Sequence, residues 1–434
     1  MFVFIVSFIE IGFIKTCQEN PEDFRKKVKK CYKKDFLLPL MFFEILLAMA
    51  IGIFLGVISG VTPGIHINSI CLLLLAFAHS FLSFFSSLSL AVILLSMAIT
   101  HTFLDVIPST FLGIPDDTSL SIFPAQKMVL EGRAIDAVAL STIGAFFGLL
   151  LSLLCVPFFL FLLPNVYSFV EPILGFILLG ICILLLFLAQ NTYWALFLFL
   201  LSGCFGLITL QLPMDQTLFP LLTGLFGIPL LLFAVLRDVK IPLQKKTRFS
   251  AQLSVFPILC GVFLGWIASF MPGLGTSQVA SIGTLSFRFK EKEYLLLLGA
   301  LSTVNMVLSL LSLYVLDKAR NGAIVALSQF ITLSPFSFLL LLCVSLIAGS
   351  VAVFFPFLFF PLFLRLFSRV SYRRICLCVF LFILSLVLFL SGFWGLFILF
   401  VGCMIGLIAE TKNIPKSFMM GCLLIPTILY FLKI

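Results

Sequence analysis

The sequence predicts an all-α, multi-pass integral membrane protein built from two structural repeats. Three observations predict this class: a strongly apolar composition, continuous apolar runs and a broken-helix motif that occurs twice. Of the 434 residues, 62% are apolar and 10% are charged, whereas a soluble domain carries about 25% charged residues. One crossing takes roughly 20 mostly apolar residues, so the chain has room for about ten to twelve crossings. This composition excludes a soluble enzyme, a nucleic-acid-binding domain and a disordered chain.

The apolar runs are continuous, which indicates helices rather than the alternating strands of a β-barrel. Two of them, 67–79 and 274–287, are too short for a full crossing. The run 323–363 is long enough for two crossings, and we expect the break at Pro335. The other runs lie at about 36–58, 89–107, 137–163, 172–189, 194–210, 218–236, 250–271, 294–316, 375–392, 393–409 and 417–433.

The basic residues cluster between these runs. Residues 15–35 hold eight of the 27, residues 237–248 hold five and residues 365–374 hold four. Lys and Arg concentrate in the short cytoplasmic loops of membrane proteins, and the anionic lipids of that leaflet are a sufficient partner for them. We therefore expect the lipid bilayer, and no nucleic acid, as the partner of these segments.

A motif of small residues followed by Pro-Gly occurs twice, once in each half of the chain. Small residues at every fourth position let another helix approach closely in lipid. Pro-Gly then breaks the helix, because Pro removes a backbone donor and Gly admits otherwise forbidden angles. The matching positions are Gly52 and Gly261, Gly56 and Gly265, Gly60 and Ser269, Pro63 and Pro272, and Gly64 and Gly273. The predicted divisions are an N-terminal extension with a basic cytoplasmic segment at 1–40, a first transmembrane repeat at 41–240 and a second at 241–434.

Polar residues follow each Pro-Gly break. Broken backbone at membrane depth is tolerated only where it is buried in protein or lines a wet cavity. Each copy is therefore predicted to form a helical hairpin with an interrupted tip, and two tips that meet near the midplane are typical of secondary transporters for anions. A Pro-Gly that merely kinks a packing helix is the alternative. The predicted substrate-binding residues are Pro63, Gly64, His66, Asn68, Ser69, Pro272, Gly273, Gly275, Thr276, Ser277, Gln278 and Asn305.

The loops after the two hairpins differ in charge. Segment 80–88 carries no charge, whereas segment 288–293 carries Arg288, Lys290 and Lys292. Basic loops lie in the cytoplasm, so we predict inverted repeats whose second hairpin opens to the cytoplasm.

Ionisable residues inside apolar runs are candidates for ion coupling. His101 and Asp105 are four residues apart and share a helix face. Such a pair could carry a proton, and a mutually satisfied pair that stabilises the fold is the alternative. Asp116 and Asp117 could bind a cation at a tip or could belong to a solvated loop or helix N-cap. We expect no cofactor and no metal site, because zinc-like cysteine spacings and an H-E-x-x-H motif are missing.

These motifs resemble the large permease subunit of the tripartite tricarboxylate transporter (TctA) family. The duplicated small-residue and Pro-Gly segments at 52–64 and 261–273 match the family's hallmark, and 101–148 is similar to the sequel in its first half. Gly113-Ile114-Pro115 stands where the family shows a Gly-Ile-Pro-Gly loop. The strings TPGIHINS and HTFLD are similar to the archaeal-type branch. The resemblance covers about 41–434 and suggests Met41 as the family-like start.

The resemblance implies a permease that moves small carboxylates, driven by a Na⁺ or H⁺ gradient. It also implies a small membrane subunit and an extracytoplasmic binding protein as partners. The sequence departs from the family pattern at three places. Asp116 stands where the first loop has its final Gly, residues 317–327 replace the second loop, and the family's paired Asn is reduced to Asn305. The substrate and the coupling ion therefore stay open.

The leading hypothesis is a secondary transporter for a small organic anion, located in the cell membrane and not an enzyme. One alternative is a flippase for a lipid-linked phosphate such as polyprenyl phosphate, because helix ends suit phosphate as well as carboxylate. A second is an intramembrane enzyme that uses His101, Asp105 or His66 as acid or base, although no nucleophile motif supports it. A third is a structural scaffold, which would not need duplicated broken hairpins.

Overall fold

The computed structural model describes residues 37–62, 84–112, 124–187, 191–214, 217–236, 254–271, 276–319 and 321–433, together with a few residues between these ranges. Throughout this part of the chain the regular structure is helical, and it contains no strand. Eight of its segments are long and apolar enough to cross a membrane, and two shorter apolar helices accompany them. The predicted all-α, multi-pass membrane class is confirmed.

The helices are named here in chain order. They are α1 Leu37–Val61, α2 Ser87–Leu104, α3 Val106–Phe111, α4 Pro124–Leu130, α5 Ala134–Val170, α6 Leu174–Phe187, α7 Thr192–Leu210, α8 Leu218–Leu222, α9 Ile228–Leu236, α10 Phe256–Phe270, α11 Thr276–Phe287, α12 Glu291–Leu316, α13 Gly322–Phe330, α14 Pro335–Ala352, α15 Phe355–Arg369, α16 Tyr372–Thr411 and α17 Gly421–Leu432. A π-helical turn, Thr223–Gly227, joins α8 to α9, and 3₁₀ turns span Glu171–Ile173 and Lys416–Met420.

The chain divides into two compact units, Met1–Ala48 and Met49–Ile434. In the first unit the described residues form the opening turns of α1. The packing described below belongs to the second unit. Within it, Pro335 begins α14 after the N-cap Ser334, so the break lies where the sequence predicted it. The two crossings expected in the described run 323–363 are not found, because α13 before the break has nine residues and is too short to cross. Gly392, with φ of 62°, interrupts α16 at the boundary between two predicted apolar runs.

Two membrane-length segments are far more buried than the others. In Ser87–Phe111, which comprises α2 and α3, 89% of the most apolar stretch is buried, and in Glu291–Leu316, which is α12, the share is 83%. The other six segments reach 50% at most. Protein therefore surrounds α2 and α12, whereas the remaining long helices keep much of their surface for lipid. We call α2 and α12 the central helices.

Each small-residue motif packs on a central helix. The facing residues are Gly52 with Ile93 and Ser96, Gly56 with Met97 and Thr100, Gly261 with Leu297 and Ala300, and Gly265 with Leu301 and Val304. The contacted positions on α12 follow those on α2 at one constant offset along the sequence, in every one of these pairs. The α1–α2 contact and the α10–α12 contact therefore have the same register.

Helices α10 and α11 form a hairpin. The ring of Phe256, at the start of α10, lies 5.4 Å from that of Phe287 at the end of α11 and 5.8 Å from that of Phe289. α10 has 15 residues and is about 22 Å long, shorter than the roughly 30 Å hydrocarbon core. The chain therefore enters and leaves on the same side, with the second Pro-Gly between the two helices.

The central helices also pack against helices from the opposite half of the sequence. A Cβ at Gly144 of α5 would collide with the carbonyl oxygen of Leu296, and one at Gly299 of α12 would collide with that of Ser141. A Cβ at Gly349 of α14 would lie 3.5 Å from Phe103 and 3.6 Å from Ile99 of α2, which is ordinary contact. The close approach of α5 and α12 requires glycine, because any side chain there would overlap the neighbouring backbone.

Contacts at the helix ends give the direction of the central helices. Gln126 of α4 donates from Nε2 to the carbonyl of Leu112, just after α3, at 3.1 Å. The next residue, Lys127, bonds to Glu291 at the start of α12. The end of α2–α3 and the start of α12 thus lie on one face of the molecule, and the central helices are antiparallel.

The same face holds the described part of the basic segment 237–248. Gln244 accepts from the amide of Ala134 and donates to the carbonyl of Val129, both at 3.0 Å. Basic residues flank these contacts at Lys127, Arg133 and the 288–292 loop. Short basic loops stay inside, so this is the face that the sequence predicts to be cytoplasmic, and the orientation stays a prediction.

A second group of helices forms a core of its own, apart from the central helices. α7, α8 and the last part of α16 share a core with the 3₁₀ turn before α17, and this core includes Leu198, Ile405 and Phe418. Gly206 of α7 faces the backbone of Cys422 in α17. Large apolar side chains of α16 are highly exposed, for example Phe389 and Phe393, as expected for a lipid-facing surface.

Candidate functional site

The first Pro-Gly break follows directly on a contact with the last turn of α2. A Cβ at Gly60 would lie 2.6 Å from Cβ of Leu104 and 3.1 Å from the carbonyl oxygen of His101. α1 ends at Val61, and the Thr62 hydroxyl donates to the carbonyl of Ile58 at 2.6 Å. The last turn of α1 therefore lies against the turn of α2 that carries His101.

A buried hydrogen bond links these two helices. Nδ1 of His101 lies 3.0 Å from Oγ of Ser59, and Oγ of Ser59 lies 3.1 Å from the carbonyl oxygen of Gly56. Both side chains are buried, with 5% of His101 and 1% of Ser59 exposed. If the hydroxyl donates to Gly56, Nδ1–H donates to Ser59; if it donates to Nδ1, the ring proton sits on Nε2. In both cases the bond fixes the plane of the imidazole.

Asp105 lies one turn further along, where the helix is interrupted between α2 and α3. Its backbone amide donates to the carbonyl of His101 at 2.9 Å, and the residue is partly exposed. The Nδ1 hydrogen bond of His101 goes to Ser59 rather than to this carboxylate. The structure thus places His101 and Asp105 on consecutive turns beside the end of α1, and their role in coupling stays a prediction.

The centre of α12 carries uncharged polar residues. Oγ of Ser309 donates to Oδ1 of Asn305 at 3.4 Å, and Asn305 is partly exposed. Thr303 donates to the carbonyl of Ala145 in α5 at 2.7 Å, so it is an interhelical contact. Ser302 bonds to its own helix at Gly299. Asn305 differs from Ser302 and Thr303 because its side chain carries an amide NH₂, which can donate hydrogen bonds to another group.

The second hairpin presents the N-terminus of α11 at its turn. Thr276 is the first residue of α11, and Ser277 and Gln278 occupy its first turn. The first backbone N–H groups of a helix have no partner inside the helix, and the helix dipole makes this end positive. An anion is the natural partner for such a terminus.

The remaining predicted site residues lie outside the described part of the chain. They are Pro63, Gly64, His66, Asn68, Ser69, Asp116, Asp117, Pro272, Gly273 and Gly275. Their roles stay predictions. Among the described residues, no three His, Cys, Asp or Glu side chains are grouped so that they could hold a metal ion.

The sequence reasoning missed Ser59 and Ser309. Each is a serine that bonds to a predicted site residue, His101 or Asn305. Ser59 precedes a glycine of the first motif, where a serine looks like part of a smooth packing face. An alignment of the α2 sequence with the α12 sequence pairs His101 with Asn305. Such an alignment could have singled out the polar residues near these two positions, including Ser309.

Lys318 lies just after α12, on the face opposite the basic loops. Its Nζ bonds to Oε1 of Glu171 at 2.5 Å and to the hydroxyl of Tyr167 at 2.8 Å. It also lies 4.6 Å from the centre of the Tyr167 ring. The hydrogen bond to Glu171, followed by that to Tyr167, raises the pKa of the Lys318 ammonium. This lysine fastens the end of α12 to the end of α5.

Comparison with known proteins covers both motifs and both central helices. The chain matches the model of the tripartite tricarboxylate transporter TctA family over residues 46–421. It is 29% identical over 413 residues to an uncharacterized protein of Methanocaldococcus jannaschii, covering 89% of this chain and 99% of that protein. No solved structure matches it. Since the family model spans most of the chain, the protein belongs to the tripartite tricarboxylate transporter TctA family.

Proposed function

We propose that this protein is the permease of a secondary transporter that moves a small carboxylate across the membrane, coupled to a Na⁺ or H⁺ gradient. The observation that carries the proposal is the α10–α11 hairpin, which turns back inside the membrane-spanning part. Its α10 arm ends just beyond Gly265, which faces Val304 of the buried helix α12. An interrupted tip in this location needs polar partners, and a transported ligand supplies them.

The two halves are proposed to be inverted repeats. The common register of the α1–α2 and α10–α12 contacts supports a repeat. The antiparallel direction of α2 and α12, derived from the contacts of Gln126 and Lys127, supports the inversion. Inverted repeats bring one broken hairpin from each side of the membrane, so that the two tips overlap near the middle.

One ligand is proposed to bridge the two tips, at residues 64–69 and 273–278. The N-terminus of α11 offers backbone N–H groups and the hydroxyl of Thr276 to an anion. Such donors bind carboxylate and phosphate alike, so the family membership is what favours a carboxylate. The alternative, in which Pro-Gly only kinks a packing helix, does not explain why polar residues follow both breaks.

Ion coupling is proposed to act through the first half. His101 and Asp105 lie on consecutive turns beside the end of α1, so protonation there can respond to movement of the first tip. Asp116 and Asp117 are the candidates for a cation, either Na⁺ or H⁺. A small membrane subunit and an extracytoplasmic binding protein are the proposed partners, as in other tripartite systems.

The first experiment tests binding and transport with the purified full chain. Citrate and succinate are added to detergent-solubilised protein in a thermal-shift assay, in Na⁺ and in K⁺ buffer. The protein is then reconstituted into liposomes, and uptake of radiolabelled citrate and succinate is measured under an inward Na⁺ gradient and an inward H⁺ gradient. We expect at least one carboxylate to stabilise the protein and to accumulate under one gradient.

A parallel arm separates the flippase alternative. Fluorescent polyprenyl phosphate is placed in the same liposomes and its movement between leaflets is followed. Movement of this lipid, with no carboxylate bound or accumulated, would overturn the carboxylate proposal in favour of the flippase.

Variants at both tips test the shared site. Asn68→Ala and Ser277→Ala are each expected to lose most of the carboxylate-induced stabilisation. Ser345→Ala is the matched control, because its hydroxyl is buried and bonds to its own helix at Leu341. If both tip variants respond to the carboxylate as the wild type does, the bridging site is wrong.

A further inference from the structure

We infer that His101 and Asn305 are equivalent ligand-contacting residues, one from each half, and that both donate N–H groups to the transported anion. This inference rests on the proposed function and adds to it a specific pair of donors on the central helices. It also changes the expected role of His101 from a coupling group alone to a residue that touches the substrate.

The packing register makes the two positions equivalent. The contacts of Gly52 and Gly56 with α2 recur between Gly261 and Gly265 and α12, at one constant offset between the contacted positions. The same offset carries His101 onto Asn305 and Asp105 onto Ser309. The two side chains therefore occupy the same place on two helices that share a packing pattern.

The two positions also lie at similar depth. His101 follows Ser87, the first residue of α2, by as many positions as Asn305 follows Glu291, the first residue of α12. At the rise of an α-helix this separation is about 21 Å along each helix. The helices are antiparallel, so depth is compared from the face that holds both Leu112 and Glu291. From that face His101 is about 17 Å and Asn305 about 21 Å along the helix, so both side chains lie well inside the segments Ser87–Phe111 and Glu291–Leu316.

Each side chain is held by a serine hydroxyl. The proposed donor role requires the Ser59 hydroxyl to donate to Nδ1 of His101 across the helix pair. The ring proton then sits on Nε2, and the fixed ring gives this N–H a defined direction. Ser309 donates to Oδ1 of Asn305, so the amide keeps its NH₂ group as the donor. Ser59 and Ser309 are thus both positioning residues, but Ser59 acts across the helix pair and Ser309 acts within α12. In the common register Ser309 matches Asp105 rather than Ser59.

The chemistry of the pair suits a compact carboxylate. An amide NH₂ and an imidazole N–H both donate to carboxylate oxygens, and a hydrogen bond to an ionised acceptor is stronger than a neutral one. Donors from opposite halves would hold two ends of one small anion, and loss of either half's donor would weaken binding of the whole ligand.

The test measures citrate and succinate affinity by isothermal titration on the purified full chain. His101→Leu and Asn305→Leu remove the donors, and each is expected to raise Kd about tenfold or more. His101→Gln keeps an N–H donor and is expected to stay within about threefold of the wild type. Thr102→Val is the control, because the Thr102 hydroxyl bonds to its own helix at Ile99.

The positioning residues give a second readout. Ser59→Ala and Ser309→Ala leave the donors in place and are expected to weaken binding by less than the Leu variants do. If folded His101→Leu and Asn305→Leu bind citrate and succinate as tightly as the wild type does, this inference alone is wrong. Failure of wild type to bind or transport any carboxylate overturns the proposed function, and the inference with it. If His101→Gln binds as poorly as His101→Leu, a donor role for His101 is wrong.

Discussion

The α1–α2 contact and the α10–α12 contact share a register but differ in how close the backbones come. In the first contact, a Cβ at Gly52 would lie 2.5 Å from the carbonyl oxygen of Ile93, and one at Gly56 would lie 2.6 Å from that of Met97. In the second, the nearest atoms to Gly261 and Gly265 belong to side chains of α12. A common register therefore permits two different degrees of backbone approach.

The same two contacts differ in their polar residues. Beside the first lies an ionisable residue, His101, bonded across the helix pair. Beside the second lies the neutral Asn305, bonded within its own helix. The comparison teaches that backbone geometry and side-chain chemistry vary independently: the halves share where helices touch, and they differ in the polar groups that they place beside the contact.

The largest expected effect breaks the closer contact. Gly56→Ala places a methyl group 2.6 Å from the carbonyl oxygen of Met97, which the backbone relieves only by moving α1 away from α2. We expect a loss of about 3 kcal/mol of stability, read as a lowered midpoint of thermal unfolding in detergent. Gly180→Ala is the control, because a Cβ there meets nothing within 4 Å, and it should be neutral or slightly stabilising. Equal effects of the two substitutions would contradict the close contact.

A smaller effect is expected in the looser contact. Gly265→Ala meets the Val304 side chain at 2.5 Å, and a side chain yields more easily than a backbone, so we expect a loss of about 1 kcal/mol. In a protein that already carries Val304→Ala, Gly265→Ala should lower the stability by less than it does in the wild type. In a double-mutant cycle of unfolding midpoints, additive effects would show that Val304 is not what opposes the new methyl group.

Removing the hydroxyls sharpens the chemical difference. Ser59→Ala deprives the buried His101 ring of its cross-helix partner, and we expect a loss of about 1–2 kcal/mol. Ser309→Ala removes a longer bond within one helix and should lose about half as much. The unfolding midpoints of the two variants measure the two losses of stability. A larger loss for Ser309→Ala than for Ser59→Ala would contradict the stronger role given to the Ser59 bond.

The smallest effect lies at the end of α12. Lys318 and Glu171 are both partly exposed, and exposed ion pairs contribute about 0–1 kcal/mol, so Lys318→Gln should lower the unfolding midpoint only slightly. Since the pKa of Lys318 is raised in the folded protein, its contribution is complete below the ordinary lysine pKa and is lost as the pH rises through the raised value. A contribution that persists unchanged above the raised pKa would contradict this.

Much of the fold could be predicted from the sequence. The membrane class followed from composition, and the second hairpin followed from Pro272-Gly273 between the apolar run 250–271 and the short run 274–287. The central position of α2 and α12 could not be predicted, because a side chain that faces lipid and one that faces protein are equally apolar. The mean hydropathy of α2–α3 and α12 is 2.0, and that of the less buried α7 is the same.

The candidate site was predictable in part. His101 and Asn305 stood out because they are polar within apolar runs. Ser59 did not, since a serine every few residues is common in packed membrane helices, and its partner lies 42 positions away in the sequence. Such a partnership depends on the tertiary register, which local spacing does not contain.

The contact of α2 with Gly349 has a consequence for how the protein is made. When α2 leaves the ribosome, the helix that will cover its Ile99–Phe103 face belongs to the second half of the chain and has not yet been synthesised. Until α14 arrives, this face of α2 must be covered by lipid or by an insertion factor. The first half is therefore an incomplete folding unit, and maturation of the transporter has to wait for the later helices.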